Sequence, residues 1–171
     1  MKRLAVLRNA KSSWDQQQLE DFDRPLSERG RKAARRMGSE FENRGFEFDL
    51  VLASSAARVR ETIGSLTDKF ELRAPVTFDP RIYLASEDRL LAIVRELSES
   101  VHRPLIVGHN PGLERLLVEL TCDDDEHLRD RMSHKFPTGA FALVELPAPS
   151  WSKIDPGSGK IVELIFPKDL D

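Results

Sequence analysis

The sequence predicts an α/β fold with a mostly parallel sheet, in a single domain that spans residues 1–171. Three short apolar runs end in polar side chains, and each is followed further on by apolar residues at helical spacing. These runs lie at residues 4–7, 49–55 and 105–107. A short apolar run bounded by polar residues is typical of a buried strand, and alternation with helices is typical of a parallel sheet. Two later apolar stretches, at residues 140–146 and 160–166, are expected to close the sheet.

The composition is that of an ordinary soluble protein and argues against several classes of function. The chain has 40% apolar and 32% charged residues, and its net charge of -3 gives no reason to expect nucleic acid as a partner. A single cysteine, Cys122, excludes an internal disulfide and a zinc site built on a CxxC pair. No apolar run approaches the roughly 18 residues of a membrane span, and no apolar leader follows Met1, so we expect no membrane association and a cytoplasmic protein.

The first strand ends in a group of polar side chains that suggests anion binding. Arg8, Asn9, Lys11 and Ser12 come directly after the apolar run. In open α/β sheets, ligands bind just beyond the carboxyl ends of the strands, so we expect these side chains to lie at such a site. Their mixture of cations, an amide and a hydroxyl favours a phosphoryl group as the ligand.

A polar loop and a long helix come next. The loop, at residues 12–25, is either a flap over the strand ends or a surface loop held in place by Trp14 and Phe22. Ser27 is expected to cap the helix and Gly45 to end it. The arginines between these two ends are expected to form a solvent-exposed face, with a specific anion site as the alternative.

Polar residues also follow the second strand. Ser54 or Ser55 is expected to cap the next helix, whose N-terminal amides would then point past the strand end. A helix N-terminus in this position is a general site for anions. After an extended edge segment at residues 76–84, Ser86 is expected to cap a third helix with Glu87 in its first turn.

The third strand runs into a histidine. His109 lies between that strand and a helix for which Asn110 is a suitable N-cap and Pro111 a suitable first residue. A lone histidine is more often structural than functional. This one, however, falls at the same edge of the predicted sheet as the two polar strand ends before it, which makes it a candidate for the same site.

The remaining segments give no sign of a second site. The other histidines lack the spacing of metal ligands, so we expect no metal site. They are His102, His127 and His134. The acidic run at residues 122–126 is expected to be a solvated insertion, and residues 147–159 to be a long turn between the closing strands.

Three of these segments resemble the motifs of one family. Residues 7–12, Leu-Arg-Asn-Ala-Lys-Ser, resemble the opening motif L-R-H-A-K-S of the SixA-type phosphohistidine phosphatases, a branch of the histidine phosphatase (phosphoglycerate mutase-like) superfamily. Ser54, Arg58 and Thr62 match the spacing of the family's second motif, and residues 107–112 match its V-G-H-N-P-G. The resemblance implies a three-layer α/β/α sandwich of the phosphoglycerate mutase type.

The resemblance also implies roles for particular residues. In the family, a histidine at the position of Asn9 takes the phosphoryl group and passes it to water, whereas an amide nitrogen is not a useful nucleophile. Glu87 is a candidate general acid, although its place in the first turn of a helix is by itself a sufficient explanation. No metal and no cofactor are implied. The residues expected to bind phosphate are Arg8, Lys11, Ser12, Arg58 and His109, the last of which would also stabilise charge in the transition state.

Asn9 leaves three interpretations open. The chain is a phosphohistidine phosphatase with impaired hydrolysis, a pseudoenzyme that holds a phosphorylated partner without turnover, or an enzyme in which His109 has become the nucleophile. Reacting geometry is set for one partner and fails with shifts of about 1 Å, which weighs against the third. The implied partner is a phosphorylated protein, such as a histidine phosphotransfer domain, or a small phosphate ester. The chain is expected to act as a monomer.

Overall fold

The computed structural model describes residues 1–171 and contains a six-stranded sheet with helices on both faces. The strands are β1 (Lys2–Arg8), β2 (Leu50–Ala53), β3 (Val76–Phe78), β4 (Pro104–Gly108), β5 (Phe141–Leu146) and β6 (Lys160–Ile165). The helices are α1 (Glu28–Arg44), α2 (Ala57–Leu66), α3 (Glu87–Arg95), α4 (Gly112–Leu120) and α5 (Leu128–His134). None of these helices combines the length and the hydropathy that crossing a membrane requires.

The sheet has the strand order β3-β2-β4-β1-β5-β6. Its first four strands are parallel, whereas β5 runs antiparallel to β1 and β6 runs antiparallel to β5. The predicted α/β class with a mostly parallel sheet is therefore confirmed. The two closing strands were also predicted, and the predicted edge segment forms β3 at one margin of the sheet.

Alternate residues of the strands face two separate hydrophobic cores, which produces the three layers. On β1, Leu4 and Val6 pack into a core with α3, α4 and α5, whereas Ala5 and Leu7 pack into a core with α1 and α2. The first core also takes in Trp151 from the turn between β5 and β6. Helices thus cover both faces of the sheet, and the polar residues that follow the strands are not part of either core.

Helix α1 fixes the segment that follows β1. The Ser27 hydroxyl accepts a hydrogen bond from the Gly30 N–H and donates one to the Lys11 carbonyl, so the predicted cap is confirmed. The helix ends at Gly45, which adopts the left-handed conformation with φ 68°, also as predicted. A Cβ on Gly30 would lie 2.1 Å from the Lys11 carbonyl oxygen. Glycine is therefore required here by the close approach of the two backbones.

Two predicted helix caps differ from the structure. Helix α2 has Ala56 as its N-cap residue with no side-chain cap, so the assignment of that role to Ser54 or Ser55 is wrong. The Ser54 hydroxyl is instead paired with His109 and accepts from the Ala56 N–H. Similarly, α4 begins after Pro111, and the Asn110 side-chain oxygen accepts from the Glu114 N–H. In both places the polar side chain accepts a hydrogen bond from a backbone N–H near the start of the helix without being the N-cap residue.

Helix α5 was not predicted. The acidic run before it contains Asp124, whose carboxylate accepts hydrogen bonds from the N–H groups of Glu126, Leu128 and Arg129. These bonds organise the start of a helix of seven residues, in which Met132 is the buried residue. So short a helix with so little apolar surface leaves no periodic pattern to detect in the sequence.

The contact between α1 and the segment after β1 predicts opposite effects of two glycine substitutions. Gly30→Ala is expected to lower the free energy of unfolding by about 1–3 kcal/mol, because its Cβ would overlap a backbone oxygen. Gly64→Ala, on the exposed side of α2 with no atom within 4 Å of the new Cβ, is expected to raise it by up to ~1 kcal/mol through helix propensity. Urea unfolding of both variants measures the difference, and equal effects would contradict the packing described here.

Candidate functional site

Three strand ends meet at one edge of the sheet. Strand β4 lies between β2 and β1, and the register pairs Arg8 with Gly108 and Ala53 with Val107. The residues that follow these pairs therefore come together at the carboxyl ends of the strands. These residues are Asn9, Ser54 and His109.

Asn9 is buried and fixed by hydrogen bonds on both sides. It is 5% exposed. Its N–H donates to the Gly108 carbonyl (3.0 Å), and its own carbonyl accepts from the Gly139 N–H (3.0 Å). The side-chain Nδ2 donates to the carbonyl of Ala10 (2.9 Å). Asn9 is thus held firmly in the interior at the end of β1.

His109 is neutral in this environment. Its Nε2 lies 2.7 Å from the Ser54 hydroxyl, and its ring packs edge-on against Tyr83. Its Nδ1 is buried and has no hydrogen-bond partner in the protein. Burial, followed by the positive charge of Arg58, lowers the pKa of His109 from 6.5 to about 4. At neutral pH the imidazole therefore carries one proton, and Nδ1 is the nitrogen left open.

The first turn of α2 is tied to the segment that follows β1. The Thr62 hydroxyl accepts from the Ala10 N–H (3.0 Å) and donates to the carbonyl of Arg58 (2.6 Å). Arg58 is 7% exposed. Arg60, two residues further on, lies on the outside of the helix, where its Nε donates to the Ser55 carbonyl. The helix therefore directs Arg58, and not Arg60, toward the strand ends.

Arg8 is the second cation at the strand ends. One Nη donates to the carbonyl of Phe136 (3.0 Å), whereas its Nε is buried without a partner. Burial lowers the pKa of Arg8, the negative charge of Glu114 opposes this shift, and the nearby Arg58 adds to it. The charge of Arg58 reaches Arg8, which is consistent with the position of both residues at the carboxyl ends of the strands.

The loop at residues 12–25 contacts the site through an aspartate that sequence analysis missed. Arg58 donates one Nη to the Asp21 carbonyl (2.9 Å) and the other to the Asp21 carboxylate (3.2 Å). The Tyr83 hydroxyl donates to the same carboxylate (2.6 Å), and Phe22 packs edge-on against the Tyr83 ring. The loop thus contacts the site through Asp21 and is held by Phe22, whereas Trp14 is exposed. Its role as a flap stays a prediction.

Ionisation at Asp21 and Tyr83 follows from these contacts. Although burial opposes it, the hydrogen bond from Tyr83 and the charge of Arg58 hold the pKa of Asp21 below its usual value. Burial and the hydrogen bond to Asp21 raise the pKa of Tyr83 to about 12. Tyr83 therefore stays a hydrogen-bond donor, and Asp21 stays a carboxylate. Asp21 lies in the predicted flap and Tyr83 is the sole tyrosine of the chain, but nothing in their spacing relates them to Arg58.

The other predicted site residues lie further out. Lys11 is exposed and lines an open groove beside the site, and Ser12 is half-buried with a backbone bridge to Leu26. Glu87 lines a different groove together with Glu114, and its side chain makes no hydrogen bond. The roles of these three residues stay predictions. No group of three His, Cys, Asp or Glu side chains is close enough together to hold a metal ion.

Comparisons with known proteins point to one family. Residues 4–83 match the family model of the histidine phosphatase superfamily (branch 1). An uncharacterized protein of Mycobacterium leprae is 30% identical over 166 residues, which cover 95% of this chain and 100% of that protein.

Two solved structures share the fold over almost the whole chain. A putative phosphohistidine phosphatase SixA from Agrobacterium tumefaciens is 25% identical with a TM-score of 0.81, covering 96% of this chain and 97% of that chain. A protein histidine phosphatase SixA complexed with tungstate has a TM-score of 0.79 at 23% identity and covers 99% of each chain.

The buried neutral histidine predicts a pH dependence of stability. Below pH 6.5 the unfolded chain takes up a proton at His109, whereas the folded chain does so only near the lowered pKa of about 4. The free energy of unfolding is therefore expected to fall by about 2 kcal/mol from this residue as the pH is lowered from about 7.5 to about 5. Urea unfolding across this range measures it.

The control is His109→Gln, whose side chain cannot titrate. Its free energy of unfolding should lack the part of the pH dependence that comes from His109. The lowered pKa of Asp21 contributes only below the usual aspartate pKa of 3.8, outside the window. An unchanged slope in His109→Gln would contradict a neutral buried imidazole.

Proposed function

Because this chain belongs to the histidine phosphatase superfamily, we propose that its site binds the phosphoryl group of a phosphorylated protein histidine and that Asn9 impairs hydrolysis. The similarity to SixA-type phosphatases supports a phosphatase-type site. The observation that carries the proposal is the meeting of Arg8, Arg58 and His109 at the three strand ends, with two buried nitrogen atoms that lack partners.

The two open nitrogens suit an anion. Buried polar atoms are nearly always hydrogen-bonded, so a buried donor without a protein partner is available to a ligand atom or to water. The candidates are the Nε of Arg8 and the Nδ1 of His109. The Ser54 hydroxyl accepts from Ala56 and can donate its own proton to the Nε2 of His109. In that tautomer Nδ1 carries the ring proton and donates to a phosphoryl oxygen.

The arginines supply the charge for the same ligand. A guanidinium group presents a planar set of donors that matches phosphoryl oxygens. Arg8 keeps one Nη on the carbonyl of Phe136, which orients the rest of its donors. Arg58 is fixed through Thr62 and reaches Asp21 in the ligand-free protein. In this proposal the phosphoryl group takes over Arg58 donors that Asp21 now holds.

Asn9 preserves the position of a nucleophile without its chemistry. Its Nδ2 donates to the carbonyl of Ala10. A histidine at this position has its Nδ1 at the same distance along the side chain, so the same bond would fix the proton on Nδ1. The Nε2 lone pair would then be free to attack phosphorus while the P–N bond of the substrate phosphohistidine breaks and the substrate imidazole leaves. Water would next break the new P–N bond and release inorganic phosphate. The Asn9 amide offers no such lone pair, because it is delocalised into the carbonyl.

Protein phosphohistidine is the substrate class that we propose. The similar structures are described as phosphohistidine phosphatases, and one of them contains tungstate, an oxyanion of phosphate-like shape. A small phosphate ester is the alternative substrate. Binding without turnover is the alternative function, favoured by the firm burial of Asn9 at the reacting position. The proposal includes action as a cytoplasmic monomer. It also includes Lys11, Ser12 and Glu87 as further site residues.

Restoring the histidine tests the proposal directly. Asn9→His is expected to release phosphate from a phosphohistidine-bearing protein on the order of 10³-fold faster or more than the unchanged chain, since loss of a nucleophile costs at least this much. Phosphate release from both forms, side by side, is the measurement, and Asn9→His combined with Arg58→Gln is the control.

The other outcomes of this experiment decide between the alternatives. Equal turnover by both forms would mean that the nucleophile lies elsewhere, and acid-labile phosphate on His109 would identify it. Binding of the phosphoprotein without turnover by either form would support the pseudoenzyme.

Asp21 is expected to compete with the ligand for Arg58. Asp21→Asn keeps the size of the side chain and removes its charge, so the affinity for inorganic phosphate should rise about fivefold, the value of a modest ion pair. Asp23→Asn, in the same turn with no ion pair, should leave the affinity unchanged. Titration calorimetry measures both variants, and a lower affinity in Asp21→Asn would show that Asp21 instead orients Arg58.

A further inference from the structure

An open groove of about 630 Å³ lies beside the strand ends. It is bounded by α1, by the segment before β5 and by the 3₁₀ turn Pro167–Leu170. Five cations and one carboxylate, Asp171, line it. We call it the basic groove, and its cations are Lys11, Arg29, Lys32, Arg36 and Lys168.

Most cations of the basic groove have no partner in the protein. Only Arg36 forms an ion pair, with Asp171, whereas the other four have no carboxylate within 4.0 Å. Other arginines of α1 differ in this respect. Arg31 pairs with Glu61, Arg35 with Asp68, and Arg44 with Glu163. The unpaired positive charge of this helix is therefore concentrated on the side that faces the groove, although the chain as a whole has a net charge of -3.

The basic groove is lined by residues that are neighbours of the candidate site along the chain. Lys11 follows Asn9 by two residues, and its carbonyl is held by Ser27 at the start of α1. On the opposite wall, Thr138 precedes Gly139, whose N–H donates to the Asn9 carbonyl. A molecule with its phosphoryl group at the strand ends would therefore place its neighbouring surface over the groove.

The spacing of the cations fits an extended acidic surface better than a small anion. Arg29, Lys32 and Arg36 lie at positions i, i+3 and i+7 of α1, which is one stripe about 10 Å long. The heads of Arg29 and Lys32 are exposed, so they do not form the enclosed set of donors that a single phosphate requires. Carboxylates at similar spacing on a partner helix would meet them one by one.

We propose that the basic groove docks an acidic helical face of the phosphorylated protein, next to the histidine that carries the phosphoryl group. The inference rests on the proposed function, because it assigns the groove to the same substrate. Electrostatic complementarity of this kind contributes mainly to the rate of association and to the choice of partner. It would distinguish a protein with carboxylates around its phosphohistidine from one without them.

The probe is a pair of alanine-rich helical peptides with a hydrolysis-resistant phosphohistidine analogue. One carries three glutamates at i, i+3 and i+7 on the face of the analogue, and the other carries glutamines there. The glutamate peptide is expected to bind about tenfold more tightly, since exposed ion pairs contribute modestly and add up over the two unpaired cations of the stripe, Arg29 and Lys32. The difference should shrink at high salt.

Charge reversal locates the effect in the groove. Arg29→Glu with Lys32→Glu should abolish the preference for the glutamate peptide and leave the affinity for inorganic phosphate unchanged. Lys69→Glu with Arg89→Glu, two exposed cations outside the groove, is the matched control and should keep the preference.

Each other outcome separates this inference from the proposed function. Equal binding of the two peptides, with inorganic phosphate still bound, overturns the docking groove and leaves the proposed function standing. If inorganic phosphate does not bind, the proposed function falls. Unphosphorylated forms of the two peptides then test the groove. Tighter binding of the glutamate peptide supports an acidic partner, whereas equal binding of the two peptides overturns the docking groove. Duplex DNA and a second glutamate peptide are also compared as competitors of the bound glutamate peptide. If DNA displaces the bound peptide at the lower concentration, the acidic helical partner is overturned in favour of nucleic acid.

Discussion

The hydroxyl of Thr62 joins the two segments that carry the arginines. It accepts from the N–H of Ala10 and donates to the carbonyl of Arg58, and Thr62 is 1% exposed. Pairing of β1, β4 and β2 sets where the strands end, but it does not fix what the chain does after them. The Thr62 bonds and the contact of this segment with α1 do so together, and the Thr62 bonds hold the segment against the first turn of α2. The relative positions of Arg8 and Arg58 depend on this link.

Much of the fold follows from local patterns, whereas parts of the site depend on contacts distant in sequence. The apolar runs, the Ser27 and Ser86 caps and the turn at Gly45 were predicted because each depends on a few neighbouring residues. The polar strand ends were predicted because parallel strands bring their carboxyl ends to one edge. The site also uses Asp21, which accepts from Arg58, and Tyr83, which donates to Asp21. These contacts join residues distant in sequence, and no periodic pattern of the sequence indicates them.

Ser54 illustrates the same limit within a single residue. A serine between a strand and a helix is normally a cap, and the sequence gives no reason to choose otherwise. In the structure its hydroxyl pairs with His109, 55 residues away, and the helix begins without a side-chain cap. When a polar side chain has two possible hydrogen-bond partners, the tertiary structure decides which of them it bonds. The basic groove shows this too, since the unpaired cations of α1 differ from the paired ones only in what lies opposite them.

The pairing of Arg58 with Asp21 means that the proposed phosphoryl ligand would have to take the place of a resident anion. A buried guanidinium group without a counter-ion is costly, and the ligand-free protein supplies its own from the loop at residues 12–25. An incoming monoanion such as chloride brings no more charge than the resident carboxylate and gains little by displacing it. A phosphoryl group brings about two charges at neutral pH. In the proposed function, the Asp21 carboxylate therefore favours a dianion over a monoanion as the ligand of Arg58.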